Sequence, residues 1–410
     1  MRQPTALRPP SSFVRTGFTW PAYLMLGYYA FLQAALGPLA PFLQGELHLT
    51  YTQTSLLTSA FAGASILVSL LGDVSARLWS RRARFWGGAI GMWVGAAVLI
   101  VSPSFVLALI GPFLMGAFGT VVRTAIEGGL ADLHQGQRAT ALTEANVIAS
   151  IGSSSVPLFI GGGQALELGW RPALLVPLIV LSLLCWRFHH IEVPEQREMS
   201  EIQEQNQQRF PSVFWLCWLA MVCCVAMEWC MIVWSAVLLK NMGGLSVNEA
   251  ATSVSLFFVA EVLGRLIGSR LAGKMETTFL LLIALGTTAL GFPLFWLSPL
   301  IPLKLSGLVL TGLGIANLYP LTLSTALSVT PARANTTSGR FAFGIGVAIF
   351  AAPLLLGRMA DLFSIQRAYS VVLGLLFGAS VLILLVHRLR GRGERRGKRL
   401  KDARRRSSVP

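Results

Sequence analysis

Charged residues are scarce in this 410-residue chain, where they make up 12% of the sequence while apolar residues make up 54%. Soluble proteins usually carry about 25% charged residues. The mean hydropathy of +0.64 therefore indicates that lipid, rather than water, surrounds most of the chain. This composition excludes a soluble enzyme or a soluble binding domain.

The motifs of soluble enzymes are also missing. There is no Walker loop, no pair of residues spaced as nucleophile and base, and no cluster with metal-ligand spacing. The sequence therefore predicts a protein that is not an enzyme and that needs no cofactor and no metal. All five cysteines lie in apolar segments, which favours small core residues over disulfides or zinc ligands: Cys185, Cys217, Cys223, Cys224 and Cys230.

Long hydrophobic runs dominate the chain. A helix needs about 20 apolar residues to cross the hydrocarbon core of a bilayer. Short polar or Gly/Pro turns divide the sequence into twelve predicted spans, at about 20–43, 53–73, 85–102, 104–127, 139–163, 171–187, 212–239, 250–272, 277–297, 300–327, 338–357 and 368–387.

Lys and Arg residues predict the orientation, because cytoplasmic loops are enriched in them. With the N-terminus in the cytoplasm, nine basic residues flank the spans on the inside and five on the outside, and twelve spans return the C-terminus to the inside. We expect a bacterial inner-membrane protein with these parts: N-terminal tail 1–19, first six-helix bundle 20–188, cytoplasmic linker 189–211, second bundle 212–387 and polybasic tail 388–410.

The C-terminal tail is strongly basic, with eleven basic and two acidic residues between Arg388 and Arg406. Such a run suits either nucleic acid or a membrane surface. Next to a membrane span, it favours a cytoplasmic tail that fixes topology and contacts anionic lipid. We therefore predict membrane lipid, and no nucleic acid, as its partner.

The chain repeats itself at an offset of 196 residues. Gly and Pro matches are informative because these residues mark close helix crossings and bends. An offset of six spans keeps the same topology in both copies, so the repeat is parallel. The matches are Gly72 with Gly268, Gly95 with Gly291, Ser102-Pro103 with Ser298-Pro299, Gly111 with Gly307, Gly116 with Gly312, Pro157 with Pro353, Gly161 with Gly357, and Arg171 with Arg367.

Two parallel six-span halves joined by a long linker resemble the major facilitator superfamily. The loop from Gly72 to Arg82 is similar to that family's Gly-x-x-x-Asp-Arg-x-Gly-Arg-Arg signature, although Ala76 stands where Asp is expected. The resemblance implies an all-α membrane protein with twelve transmembrane helices that moves a small molecule by alternating access. It also implies a gating role for Asp73 and Arg77 in this loop. We assign Arg265 to an ion pair because it lies one turn from Glu261. We assign Arg340, the repeat counterpart of Glu144, either to gating or to a topology charge near the membrane surface.

Ionisable groups inside spans are costly, so each is a candidate functional residue. We select six residues within predicted spans, and no ionisable residue lies in the interior of spans 3, 6, 9 and 12, which the family resemblance places against lipid. The six are Arg123 and Glu127 in span 4, Glu144 in span 5, Glu228 in span 7, and Glu261 and Arg265 in span 8.

Arg123 and Glu144 lie at similar depths in the hairpin of spans 4 and 5, and Glu127 is one turn from Arg123. We expect these three residues to form one network, and Asn146 to extend it. The network is interpreted either as a site for substrate and proton coupling or as an ion pair that holds two helices together.

Glu261 lies near the middle of its span, where hydrocarbon favours a neutral carboxyl group unless Arg265 keeps it ionised. It is the first candidate proton carrier, followed by Glu144 and Glu127. The offset of 196 aligns Trp229 with Gln33. We predict substrate contacts, with simple helix packing as the alternative, for Tyr29, Gln33, Arg123, Asn146, Glu228, Trp229, Asn317 and Tyr319.

Two functions fit these features. The first is a monomeric secondary transporter for a small solute, coupled to protons. The second is a receptor or scaffold that does not transport and works through its polybasic tail. The charged groups inside the spans favour the transporter, because a scaffold does not need costly charges in lipid.

Overall fold

The computed structural model describes residues 14–71, 78–134, 137–195, 210–272, 274–330 and 334–407. Within these ranges the chain forms twelve helices joined by short loops, and two of them consist of two segments each. In order, α1 to α12 are Thr19–Glu46, Tyr51–Leu70, Arg81–Val101, Phe105–Leu133, Arg138–Ala165, Pro172–Phe188, Ser212–Gly243, Val247–Ala272, Thr277–Leu297, the two segments Ile301–Ile315 and Leu318–Val329 of α10, Ala334–Leu362, and the two segments Ile365–Ala368 and Ser370–Ser407 of α12.

Eleven spans among the described residues are long and apolar enough to cross a membrane, and Pro172–Phe188 is a shorter apolar helix of 17 residues. Large apolar side chains on α3, α6, α9 and α12 are exposed, among them Ile90, Ile179, Leu290 and Phe377. An exposed apolar surface of this kind suits lipid contact. It lies on the four helices that were predicted to face lipid.

The helix bounds repeat with the same offset as the sequence. Adding 196 to the bounds of α3, Arg81–Val101, gives 277 and 297, which are the bounds of α9. Adding 196 to the bounds of α4, Phe105–Leu133, gives 301 and 329, which are the bounds of α10. The predicted fold of two parallel six-helix repeats is therefore confirmed.

Close packing at one crossing explains why a glycine recurs in both halves. A Cβ atom added at Gly116 in α4 would lie 2.1 Å from the carbonyl oxygen of Phe61 in α2. In the second half, a Cβ at Gly312 in α10 would lie 2.7 Å from the carbonyl oxygen of Phe257 in α8. All four residues correspond at the 196-residue offset, so both halves use one crossing geometry that admits no side chain.

The two halves meet through α2 against α11, α5 against α8, and α1 against α7. We call the end of the bundle where α1 begins, at Thr19, the terminal end, and the end where α1 stops, at Glu46, the opposite end. Among the described residues, the hydrogen bonds that join the two halves lie in the opposite half of the bundle: Tyr51 and Thr52 to Asp361, Ser59 to Phe350, and Asn241 to Tyr51. The structure is therefore closed at the opposite end.

The C-terminal helix is longer than its predicted span. Span 12 was expected to end at 387, but the second segment of α12 continues as a helix to Ser407. Residues 196–209 of the predicted linker 189–211 lie outside the described residues.

Candidate functional site

A cavity of about 410 Å3 lies between the two halves. Its wall comes from α1 and α5 in the first half and from α7, α8 and α10 in the second. Seven residues predicted to act in binding, coupling or ion pairing line it: Gln33, Asn146, Glu228, Trp229, Glu261, Arg265 and Tyr319. The structure thus brings together residues that are far apart in the sequence.

One guanidinium in the cavity wall forms salt bridges with two carboxyl groups. Arg265 Nη2 lies 3.4 Å from Glu228 Oε1 in α7 and 3.6 Å from Glu261 Oε2 in α8. The second contact joins residues i and i+4 of one helix, which share a face. With both carboxyl groups ionised, this cluster carries one net negative charge.

Glu261 is the most enclosed member of the cluster. Its side chain is 5% exposed, compared with 42% for Arg265. Its Oε1 atom has no hydrogen-bond partner among the described residues. Buried polar atoms in proteins are nearly always bonded, so this enclosed oxygen is suited to carry a proton.

The break in α10 shapes the wall beside this cluster. Helical geometry stops after Ile315 and resumes at Leu318, and Asn317 Nδ2 donates a 2.7 Å hydrogen bond to the carbonyl oxygen of Gly264 in α8. Tyr319, the second residue of the segment that resumes at Leu318, lines the cavity. Asn317 was predicted to contact substrate, but its amide holds α10 against α8 and is not part of the cavity wall.

A second ion pair lies beside the cavity, in α4. Arg123 Nε donates to Glu127 Oε1 at 2.8 Å, and both side chains are nearly half exposed, at 47% and 45%. The phenol groups of Tyr29 and Tyr319 lie near Arg123. Because 123 plus 196 is 319, Arg123 and Tyr319 occupy equivalent positions in the two halves.

Glu144 does not join this pair, contrary to the expected three-residue network. Its carboxylate accepts two hydrogen bonds from Arg15, at 2.9 and 2.7 Å, and one from Tyr23 at 3.1 Å. Similar depth in two helices does not fix their rotation, and Arg123 already has a partner one turn away. Arg15 lies just before α1, outside any span, and sequence analysis did not select it.

The predicted gating residues fall in different places. Arg265 belongs to the cavity cluster, whereas Arg340 stacks over the rings of Phe210 and Trp215, at 4.2 and 5.2 Å from their centroids. Asp73 and Arg77 lie outside the described residues.

The end of the signature segment holds the start of the linker. Arg81 bonds Asp132 at 2.6 Å and donates to the carbonyl oxygens of Pro194 and Glu195, both at 3.1 Å. Arg82 donates to the carbonyl oxygen of His189 at 3.3 Å. These basic residues fix the linker against the terminal end of the first half.

Sequence analysis missed several wall residues that helical periodicity points to. Ser150 and Ser153 follow Asn146 by four and seven positions, and Phe258 precedes Glu261 by three. Residues at these spacings share one helix face. Once Asn146 and Glu261 are chosen, the spacing extends the site to these neighbours.

The helical halves and the charged cavity between them define a membrane transporter. The family model of the major facilitator superfamily matches residues 22–353 and also 217–410. The chain belongs to the major facilitator superfamily, whose members are transporters and not enzymes.

Similar proteins agree with this assignment. An uncharacterised MFS-type transporter of Yersinia pestis is 26% identical over 351 residues, which cover 83% of this chain and 88% of that protein. The solved structure of a bacterial homologue of the human lysosomal transporter Spinster, inward-facing and occupied, has a TM-score of 0.71 at 15% identity and covers 90% of this chain and 96% of its own. The nucleoside transporter NupG has a TM-score of 0.67 at 15% identity, covering 90% and 98%. Both structures show a shared fold.

Proposed function

We propose that this protein is a secondary active transporter that couples movement of a small solute to protons, with Glu261 and Glu228 as the proton-binding pair. The observation that carries this proposal is the guanidinium of Arg265 shared by two carboxyl groups in the cavity wall. Two carboxylates that share one cation leave one negative charge without a partner, and one bound proton would neutralise it.

The solute would occupy the cavity between the halves. Gln33, Asn146, Trp229 and Tyr319 supply two amides, an indole and a phenol to its wall. Arg123 and Glu127 are on the terminal side of this wall, with Tyr29 close by. We assign these three residues to the path between the cavity and the terminal end.

Alternating access would open and close the two ends in turn. The hydrogen bonds between the halves at the opposite end, with exposed Arg123 and Glu127 towards the terminal end, support a conformation that admits solute from the terminal end. The excess of Lys and Arg at the terminal end supports a cytoplasmic location for both termini. This conformation would then face inwards in a bacterial inner membrane.

The test uses inside-out membrane vesicles with a fluorescent pH probe and a panel of small solutes. A coupled solute is expected to collapse an imposed pH gradient in vesicles that contain the protein. Glu261→Gln is expected to abolish this effect. Glu249→Gln, the same change in the same helix, should retain it, because Glu249 only caps the start of α8 through Ser246.

Solute uptake that proceeds equally with and without the pH gradient would contradict proton coupling. Deletion of residues 388–410 distinguishes a transporter from a scaffold that acts through its tail. The transporter is expected to keep gradient-driven activity after this deletion. A scaffold has no use for carboxyl groups enclosed at the middle of the bundle.

A further inference from the structure

The charges around the cavity are unbalanced in a way that selects for a cationic ligand. Glu228 and Glu261 share one guanidinium, that of Arg265. Glu228 and Glu261 also lie close enough to repel each other when both are ionised. An uncompensated charge in a poorly solvated site is unfavourable, so this site gains from binding one positive charge, either a proton or a cation.

The other charged and titratable groups that face the cluster do not remove this imbalance. On α4, the Arg123 guanidinium is 2.8 Å from Glu127 and forms a neutral pair with it. On α10, Tyr319 lies near Arg123, Glu127 and Glu228, and its phenol adds no charge. The α1 and α5 walls contribute the neutral amides of Gln33 and Asn146.

The hydrogen-bond geometry narrows the ligand to one that carries N–H groups. Glu228 lines the cavity and its side chain is 18% exposed, so a ligand can reach its carboxylate, whereas Glu261 Oε1 is buried and lacks a partner among the described residues. An ionised carboxylate oxygen can only accept hydrogen bonds. A protonated amine can donate to it, whereas a quaternary ammonium carries positive charge but has no hydrogen to donate.

The rest of the wall suits an organic body. Trp229, Phe258 and Tyr319 present aromatic rings to the cavity, and such rings attract cations and apolar groups. The volume of about 410 Å3 lies within the range of pockets that hold drug-sized ligands.

We propose that the cavity binds a protonated organic amine in exchange for the proton held by Glu228 and Glu261. This inference rests on the proposed function and names its substrate class. The O–H bond of the shared carboxyl proton breaks, the proton leaves to water, and the ammonium N–H donates to the freed carboxylate. The charge of the site is the same before and after exchange, so amine and proton compete for one position and move in opposite directions.

The test uses the full-length protein in lipid nanodiscs and four ligands with one diphenylalkyl skeleton. These are 3,3-diphenylpropylamine, its trimethylammonium derivative, 3,3-diphenylpropan-1-ol and 4,4-diphenylbutanoate. Calorimetry in two buffers with different ionisation enthalpies gives both affinity and proton release. The amine is expected to bind at least about tenfold more tightly than the other three, with release of about one proton per amine bound.

Two variants and one control test whether proton release comes from these carboxyl groups. Glu261→Gln is expected to abolish proton release and to lower the affinity for the amine at least about tenfold. Glu249→Gln should leave both proton release and affinity unchanged. Glu228→Gln, expected to remove proton release as well, provides a second variant if Glu261→Gln fails to fold. Equal binding of the trimethylammonium compound would overturn the N–H requirement, and tighter binding of the carboxylate would overturn the cationic class.

The outcomes separate this inference from the proposed function. If none of the four ligands binds while other solutes collapse the pH gradient in vesicles, the amine class is wrong and proton coupling stands. If the amine binds without proton release and its transport does not depend on the pH gradient, the proposal of proton coupling is itself wrong.

Discussion

The carboxylate of Asp361, at the end of α11, accepts the backbone N–H of Thr52 at 2.8 Å and the Thr52 hydroxyl at 2.5 Å. Its second oxygen accepts the backbone N–H of Tyr51, also at 2.8 Å. These N–H groups are at the start of α2, where a helix lacks internal partners for its first donors and attracts negative charge. One side chain of the second half thus caps a helix of the first half.

This contact predicts that Asp361 holds the opposite end closed. Asp361→Asn keeps the size of the side chain and removes the charge. Because the site is partly exposed, we expect a loss of about 1 kcal/mol of closure, or about fivefold more open protein. Spin-label distances between Gln53→Cys and Arg358→Cys in a cysteine-free background measure the opening.

The control for this gate is Asp132→Asn, which weakens an ion pair with Arg81 inside the first half. It should leave the distance across the opposite end unchanged. An unaltered distance distribution in Asp361→Asn would show that the contact does not contribute to closure.

The recurring glycines predict a ranking of stabilities. Gly116→Ala places a methyl group 2.1 Å from a backbone oxygen, and Gly312→Ala places one at 2.7 Å. Backbone cannot move aside as a side chain can, so we expect Gly116→Ala to cost about 1–3 kcal/mol and Gly312→Ala to cost less. Thermal unfolding in detergent, followed by intrinsic tryptophan fluorescence, measures both.

Gly286→Ala is the matched control, because Gly286 lies in α9 with open space around it. It should leave the melting temperature unchanged or raise it slightly, since alanine favours helix. If all three variants have the same melting temperature, the close helix crossings do not contribute to stability.

The fold could be predicted from the sequence because it depends on the apolar composition of the spans and on the 196-residue repeat. The offset that pairs Gly116 with Gly312 also relates the bounds of α4 and α10. The depth of a charged residue follows from its distance to the helix end, so Glu261 was correctly placed near the middle of α8.

The pairing of side chains was harder to predict, because it depends on the rotational orientation of each helix about its own axis. Arg123 and Glu144 have similar depths, yet Glu144 turns to Arg15 and Tyr23. Asn317 likewise bonds a helix backbone, a contact that its position before Pro320 does not reveal. The sequence search considered only ionisable residues within predicted spans, so it could not select residues just outside them, such as Arg15.

Asn317 allows a test of structural against binding roles. Asn317→Ala removes the 2.7 Å bond to the Gly264 carbonyl and leaves that oxygen without this donor. We expect a loss of about 1–2 kcal/mol in stability and little direct effect on ligand affinity. A large fall in ligand affinity with an unchanged melting temperature would instead support the substrate contact expected from sequence.

The pairing of Glu144 predicts which arginine is coupled to it. In a double-mutant cycle of Arg15→Ala and Glu144→Gln, we expect the two effects on thermal stability to be non-additive, because each change removes the same two hydrogen bonds. The matched cycle of Arg123→Ala and Glu144→Gln should be additive, since the carboxylate bonded to Arg123 is that of Glu127. Non-additivity with Arg123 alone would restore the three-residue network that the sequence favoured and would contradict the arrangement at the terminal end.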